Sequence, residues 1–439
     1  MKKVVKFGGS SLANADQFKK VGTIIRSDEA RRYVVPSAPG KRFSSDTKVT
    51  DMLYSCYEAA VNGEDFSGQL EAIQERYQEI IDGLELDFSL ADDFETIRGD
   101  FSSHAGEDYA ASRGEFLNGK IMAAYLGFKF IDAADVVRFR EDGSFDDGKT
   151  NELLAGALEE TDKAVIPGFY GAKENGEVVT FSRGGSDITG SLVALAAKAD
   201  LYENWTDVSG FLIADPRIVK HPKSIETITY KELRELSYMG ASVLHEDAIF
   251  PVRKAGIPIN IRNTNIPSDQ GTLIVESTCR QPKYTITGIA GTDGFAAITV
   301  EKAMMNSEIG FCRKVLQVFE DNGVSIEHMP SGIDTMSIFV NKDSFEEKEQ
   351  KILSDINKTV HPDHIELESD LALIAIVGRG MKSTRGTAGR IFSALAHAHI
   401  NVKMIDQGSS ELNIIVGVKH EDFKNAIRAL YEIFVLTQL

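Results

Sequence analysis

The chain has 439 residues, enough at about 150 per domain for two to four domains with cores of their own and no need of disulfides or structural metal. Its 66 acidic residues outnumber 48 basic ones, and the formal net charge of −18 argues against non-specific binding to nucleic acid or to anionic membranes. Three scattered cysteines, Cys56, Cys279 and Cys312, exclude a disulfide framework and fit a reducing compartment.

The N-terminus, MKKVVKFGG, reads as a short strand running into a glycine turn, without the apolar stretch and cleavage pattern of a secretory signal. The longest apolar runs, such as Leu371 to Val377, are strand-length and far below the ~20 residues that span a bilayer. A soluble, cytoplasmic protein with no membrane or nucleic-acid partner is expected. From residue 1 to about 280, strand candidates (KKVVKF, YVVP, FKFID, AVIPGF, ADLYENWTD, PINIRN) alternate with longer helical patterns, which predicts an α/β layer structure with a mainly parallel sheet. Residues 64 to 118 are helical and acidic and read as an excursion over the sheet edge, a candidate lid. A boundary falls in the polar stretch 277 to 284.

Beyond it lies an internal repeat. The segment from Gly310 aligns without a gap to the segment from Gly386, 76 residues on, and the same offset pairs Ile298 with Ile374, Met305 with Met381 and Ser307 with Ser383. Each copy reads as a β-α-β-β-α-β unit of the ferredoxin-like kind. One strand is missing for two full copies unless residues 286 to 291 are borrowed. The first copy, 294 to 366, is therefore expected to be inserted into a second built from 284–293 plus 367–439.

Three motifs could carry chemistry. In Lys3-Val-Val-Lys6-Phe-Gly8-Gly9-Ser10-Ser11 a strand ends in two glycines and two hydroxyls, a backbone cradle for phosphate beside a lysine able to neutralise a transferring phosphoryl group. In Phe181-Ser-Arg183-Gly184-Gly185-Ser186-Asp187, Ser186 and Asp187 stand where helix caps are expected, while an arginine before two glycines suits a carboxylate or phosphate. Thr206, Asp207 and Arg217, within a turn-rich stretch after a strand, offer an acceptor and donors where ligands of parallel sheets collect. Ser37 and Lys41 in PSAPGK, Thr50 beside Asp51, and Glu115 beside Gly114 are further polar candidates, each singly ordinary, and most such residues are expected in solvated loops. The nine histidines show no metal-ligand spacing, so no protein-bound metal is expected. The loop from Val377 to Gly386 reads as a small-ligand or interface loop of the repeat.

Taken together, KFGGSS, SRGE at 112–115, FSRGGSD at 181–187, WTDVSGFLIADPR at 205–217, GASVLHEDA at 240–248 and IRNT at 261–264 resemble the aspartokinases over essentially the whole chain, and the repeat resembles their paired ACT domains. The resemblance implies an amino-acid-kinase-like sandwich over residues 1–280 followed by two ACT domains, and transfer of the γ-phosphoryl of Mg-ATP to the β-carboxylate of L-aspartate. It implies that Lys6 and Asp187 are catalytic, with Gly8, Gly9 and Ser10 as the phosphate cradle. Arg183 would take the substrate α-carboxylate, Glu115 its ammonium, and Ser37, Thr50 and Ser186 the rest of the aspartate. Thr206, Asp207 and Arg217 would line the nucleotide site. Leu212, Ser242 and Glu246 depart from the family pattern, Ser242 replacing a lysine whose nucleotide contact must then be absent or supplied otherwise.

The ACT repeats imply feedback by an amino acid and assembly as a homodimer or tetramer. The corresponding effector stretch holds Met305, Ser307, Gly310, Phe311, Cys312, Ser325 and Glu327, where Glu327 could bind an ammonium group; its repeat counterpart is Lys403. Lysine is the expected effector and threonine the second choice. With no dehydrogenase stretch before Leu439, the enzyme is expected to be monofunctional. Another amino-acid kinase of the same fold, or a non-catalytic ACT sensor, are the competing readings.

Overall fold

The computed structural model describes residues 1–182, 184–241, 244, 246–278 and 282–437, with the backbone alone for 246 and 247. Arg183, Ser242 and Cys279 lie outside the described residues, as does the side chain of Glu246. Two compact units result. The first comprises Met1–Phe211, Ser224–Tyr230 and Val243–Thr278, and the second Leu212–Lys223, Lys231–Ser242 and Cys279–Leu439.

The first unit is built on strands β1 (Lys3–Phe7), β2 (Arg31–Pro36), β3 (Lys129–Phe130), β4 (Ala164–Val165), β5 (Tyr170–Ala172), β6 (Val178–Thr180), β7 (Leu201–Thr206), β8 (Thr227–Thr229), β9 (Ile259–Asn263) and β10 (Thr272–Val275). Among the described residues eight of these form one sheet in the order β3-β4-β2-β1-β7-β9-β10-β8, and β5 pairs with β6 as a separate hairpin. Every pairing in the larger sheet is parallel except β9 with β10, so the expected mainly parallel sheet is present. Val4, Val5 and Phe7 of β1 are all fully buried, the continuous apolar pattern of a strand covered on both faces.

Helix Ala15–Arg26 begins where the Asn14 side chain accepts from the Gln17 N–H, and it turns Phe18, Val21 and Ile25 inward at helical spacing. The acidic stretch after residue 64 departs from the lid expectation. Its helices Ser67–Gly83 and Ala91–Ser102, with helix Glu107–Leu126, place Leu70, Ile73, Tyr77, Phe94, Phe101 and Leu117 in one core with Val5 and Phe7 of the central strand. Each such side chain contributes about 1.5–3 kcal/mol through burial, too much to lift away as a lid.

The second unit carries β11 (Gly288–Glu301), β12 (Ile326–His328), β13 (Thr335–Asn341), β14 (His364–Val377), β15 (Met404–Asp406) and β16 (Asn413–Lys419). They form an antiparallel sheet in the order β12-β13-β11-β14-β16-β15. β11 and β14 are 14 residues each and pair along their length, from Gly288 opposite Val377 to Glu301 opposite His364. Their register slips near Phe295, where Gly294 has φ +86° and Asp370 φ +59°, so each long strand serves two halves of the sheet. Helices Phe311–Asp321 and Glu349–Val360 belong to one half, and Thr387–His397 and Phe423–Tyr431 to the other. In the second half the opening segment of β11 takes the place beside β14 that the opening segment of β14 holds beside β11 in the first. His328 Nδ1 in β12 lies 2.8 Å from Asp406 Oδ2 in β15, so the sheet curls until its two outermost strands meet.

Candidate active site

β1 runs between β2 and β7, and its register sets Lys6 opposite Val35 on one side and Asn204 on the other. Lys6 is only 8% exposed, and its Nζ lies 2.7 Å from Asp187 Oδ1. The same carboxylate oxygen accepts from Asn204 Nδ2 at 2.8 Å. A buried lysine needs such a partner to stay charged. Asn204 is a member of this cluster that the sequence reading missed; its only signal was a polar side chain in an apolar strand two residues before Thr206.

The glycine turn follows at once. The Gly8 N–H donates to the Trp205 carbonyl at 3.1 Å, and the Gly40 N–H donates to the Gly9 carbonyl at 2.8 Å. A Cβ on Gly9 would lie 2.8 Å from the Ala38 carbonyl oxygen, so the second glycine is required by close backbone approach. Ser10 is exposed, while the buried Ser11 hydroxyl shares a 2.8 Å bond with the Thr264 hydroxyl.

Asp187 arrives on helix Gly185–Ala196. Contrary to the capping expectation, the N-cap is Gly184, with φ +60° and no side-chain cap, and Ser186 and Asp187 fall inside the first turn. Gly184 meets a left-handed requirement, and Gly185 a close approach, since a Cβ there would lie 2.5 Å from Phe169 Cδ2. Ser186 packs on Gly168, itself bonded through its N–H to the Pro36 carbonyl at 3.1 Å.

On the other side, helix Glu107–Leu126 contributes Glu115, only 5% exposed. Burial pushes its carboxyl up to about 8, against opposing hydrogen bonds from the backbone of Ala38 and of Glu115 itself and the charge of Lys6. Its Oε2 has no hydrogen-bond partner among the described residues. Ser37 donates its N–H to the Phe7 carbonyl at 3.0 Å, and its own carbonyl accepts from Asn118 Nδ2 at 2.6 Å. Thr50, in the first turn of helix Val49–Val61, comes near Gly114: a Cβ on that glycine would be 3.8 Å from Thr50 Oγ1.

Thr206 ends β7 and Asp207 follows it, with the Thr206 hydroxyl donating to Asp207 Oδ1 at 3.1 Å. Arg217 belongs to the second unit, where it is mostly exposed and pairs with Asp215, Nη2 to Oδ2 at 2.6 Å. Leu212 also belongs to that unit.

In the second unit, Met305 and Phe311 are buried in the apolar core, so they can offer a ligand mainly backbone. Gly310, at φ +82°, caps the helix that begins at Phe311, and Cys312 is half-buried in its first turn. Ser307 and Ser325 are exposed. Glu308 bridges Lys302 at 2.6 Å and Lys314 at 2.8 Å, and these hydrogen bonds, Lys302 first, hold its carboxyl down to about 2. Glu327 accepts from the Tyr238 hydroxyl, and its repeat counterpart Lys403 pairs instead with Glu368 at 2.5 Å. The counterpart loop of the second copy borders an open hollow of about 500 Å³ lined by Lys382, Ser383, Thr384, Arg385 and Glu411. Among the described residues no helix is long and apolar enough to cross a membrane.

A mainly parallel sheet that brings a buried lysine, a glycine turn and a helix-borne carboxylate together, with a curled antiparallel sheet of duplicated halves in the second unit, defines the class: an amino-acid-kinase catalytic unit with ACT-type regulation. The amino acid kinase family model matches residues 1–263, and the ACT domain model residues 374–434. Aspartokinase 3 of Bacillus subtilis (strain 168) is 42% identical over 448 residues, with 98% of both chains covered. The crystal structure of the aspartate kinase of Clostridium acetobutylicum, described as an allosteric enzyme, superposes with a TM-score of 0.90 at 53% identity, covering 99% of this chain and 100% of that one. E. coli aspartokinase III in complex with lysine and aspartate, a T-state, gives a TM-score of 0.73 at 25% identity over 99% of each chain. The chain belongs to the aspartokinase family.

Proposed function

We propose that the protein transfers the γ-phosphoryl of Mg-ATP to the β-carboxylate of L-aspartate, giving 4-phospho-L-aspartate and ADP, and that lysine restrains it through the first repeat. The observation that carries the catalytic part is the ion pair of Lys6 with Asp187 beside the glycine turn, near the buried carboxyl of Glu115, whose Oε2 has no partner among the described residues. The nucleophile is ionised at neutral pH, so no strong base is needed. Its oxygen forms the new P–O bond as the bond to the bridging oxygen of ADP breaks. The work left to the protein is alignment and charge neutralisation.

In this reading Lys6 stabilises the phosphoryl group in flight and Asp187 holds Lys6 in place, while Gly8, Gly9 and Ser10 form the phosphate cradle: Gly9 and Ser10 offer backbone N–H groups, and Gly8, whose N–H is held by the Trp205 carbonyl, fixes the turn. Glu115 takes the substrate ammonium, and Ser37, Thr50 and Ser186 surround the rest of the aspartate, with Arg183 assigned to the α-carboxylate through the family motif. Thr206, Asp207 and Arg217 serve the nucleotide, and Mg²⁺ enters with it. The effector lies against Met305, Ser307, Gly310, Phe311, Cys312 and Ser325, with its ammonium on Glu327. The chain divides into a kinase domain over 1–280, a first ACT domain over 294–366 inserted into a second over 284–293 and 367–439, and it assembles as a cytoplasmic homodimer or tetramer through them. Exposed Met304, Ile309 and Ile333 in the first repeat support that assembly.

The test is purified protein with Mg-ATP and L-aspartate, the acyl phosphate trapped as its hydroxamate by hydroxylamine, with L-lysine and L-threonine titrated in. Aspartate-specific hydroxamate that falls with lysine is the expected result. Insensitivity to both amino acids would remove the effector assignment, and hydroxamate from another acid in place of aspartate would move the substrate.

A further inference from the structure

The helical layer after residue 64 is a structural layer rather than a lid, and two of its buried polar side chains reach a loop that bears on the active site. Asn118 is fully buried, one turn beyond Glu115 on the same helix face. Its Nδ2 donates to the Ser37 carbonyl at 2.6 Å, and its Oδ1 has no partner among the described residues. The donor to a carbonyl must be the amide nitrogen, so the side-chain orientation follows from the bond itself. Glu115 meanwhile accepts from the Ala38 backbone. One helix face thus holds two successive residues of the loop that starts at Ser37.

The far end of that loop is held by Arg76, only 4% exposed, from helix Ser67–Gly83. Its guanidinium donates to the Gly40 carbonyl, to the Thr47 carbonyl at 2.9 Å, and pairs with Asp46 Oδ2 at 3.0 Å. The planar fork is suited to joining several acceptors at once, which a lysine cannot copy. Between these anchors the loop lies on the glycine turn: Gly40 donates to Gly9, and a Cβ on Gly40 would come within 2.6 Å of the Gly9 carbonyl carbon. Ser37, the glycine turn and Glu115 are therefore tied together through Asn118 and Arg76, neither of which is among the residues assigned to phosphate or substrate.

We propose that Asn118 and Arg76 are positioning residues of the aspartate site, holding residues 37–48 from two helices so that Ser37 and Glu115 face the substrate beside the Gly8-Gly9 turn. This rests on the aspartate reading above. The bland competitor is that both bonds merely satisfy buried polar groups, which would affect stability without favouring one substrate.

Asn118→Leu removes the amide while keeping the γ-branched shape, and Arg76→Lys keeps the charge for Asp46 but loses the fork. Steady-state kinetics with Mg-ATP and aspartate are read together with amide hydrogen exchange of the free protein. The expected result for both variants is a KM for aspartate raised about 10-fold, with kcat and the KM for ATP within about 3-fold of wild type. Amides of 37–48 should exchange about 10-fold faster while those of helix Val49–Val61 are unchanged. A folded variant with unchanged loop exchange and unchanged KM for aspartate overturns the proposal. So does a parallel loss in kcat, both KM values and thermal stability, which is what a purely structural bond gives. Should Asn118→Leu fail to fold, Arg76→Lys carries the same prediction alone. A wild-type protein that turns over another acid but not aspartate overturns the functional reading and the aspartate-specific claim with it, and is recognised because loop exchange would still respond to the variants.

Discussion

The two sides of the proposed catalytic site treat a carboxylate in opposite ways. Asp187 has a lysine at 2.7 Å and an asparagine at 2.8 Å on the same oxygen, so its charge is matched before any ligand arrives. Glu115 has an oxygen with no partner among the described residues and a carboxyl that burial pushes up to about 8. A matched pair in a dry setting is a preorganised field for charge that builds during a reaction. An unmatched acid held near neutrality is a vacancy for a cation, and it takes its charge when that cation binds. The proposed function uses this difference by giving the phosphoryl end of the substrate to the matched pair and its ammonium end to the unmatched acid.

The sharpest way to break this comparison is to remove the cation from the matched side. Lys6→Met should lower kcat by about 10³-fold, the range seen when a single charge-stabilising donor is lost, and leave Asp187 without its charge partner. Hydroxamate assays at saturating aspartate check it, with binding of ATP as the control for folding. Glu115→Gln acts on the unmatched side and should act on binding: the KM for aspartate rises about 10- to 100-fold, as for a lost hydrogen bond to a charged group, with a smaller effect on kcat. Equal losses in kcat from both variants would erase the division of labour.

How far this site was legible in the sequence depends on whether each signal was local. The strand-to-glycine turn at Lys6 to Ser11 was visible because glycines at a strand end have few other uses, and the 76-residue repeat because it runs without gaps. Asn204 was not, because what makes it part of the site is its register opposite Lys6, and registry between strands almost 200 residues apart leaves no local mark. Ser186 and Asp187 fit a capping pattern, yet the left-handed Gly184 took that position, a backbone preference overriding a side-chain one. The helices after residue 64 looked like a solvated excursion because acidic residues dominate the composition. Their apolar stripe, Leu70, Ile73, Tyr77, Ile80 and Ile81, is narrow but sits in the core. Thr206 and Arg217 are close in sequence yet belong to different compact units, which no local pattern foretells.

A third carboxylate sharpens the comparison within the regulatory unit. Glu327 has a neutral partner, the Tyr238 hydroxyl, while its counterpart in the second repeat is a lysine already paired with Glu368. At this position the first copy therefore offers an acid to an incoming ammonium and the second does not. Glu327→Gln should raise the lysine concentration for half-inhibition about 10-fold and leave uninhibited turnover unchanged, whereas Lys403→Gln should leave lysine inhibition as it was. Direct calorimetric binding of lysine to each variant separates lost binding from lost coupling.

The effect most specific to Glu115 is on pH dependence. Its carboxyl titrates at about 8 when folded against an ordinary value of 4.5. Between those values the folded protein binds more protons than the unfolded chain, so raising the pH removes stability, and the loss is complete once pH passes the folded value. Each pH unit within that window costs up to about 1.4 kcal/mol, or about 2–4 °C in the melting midpoint of the first unit. The ammonium of aspartate requires the ionised form, so apparent affinity for aspartate should rise up to about 10-fold per unit as pH climbs toward 8 and then level off. Calorimetric melting and aspartate titrations at pH 6, 7, 8 and 9 measure both trends, which run in opposite directions from one titration. Glu115→Gln should flatten both, with a melting midpoint that no longer falls across the window. If the variant kept the wild-type slope in melting, another group would own the titration, and the unmatched carboxylate would lose its place in the comparison.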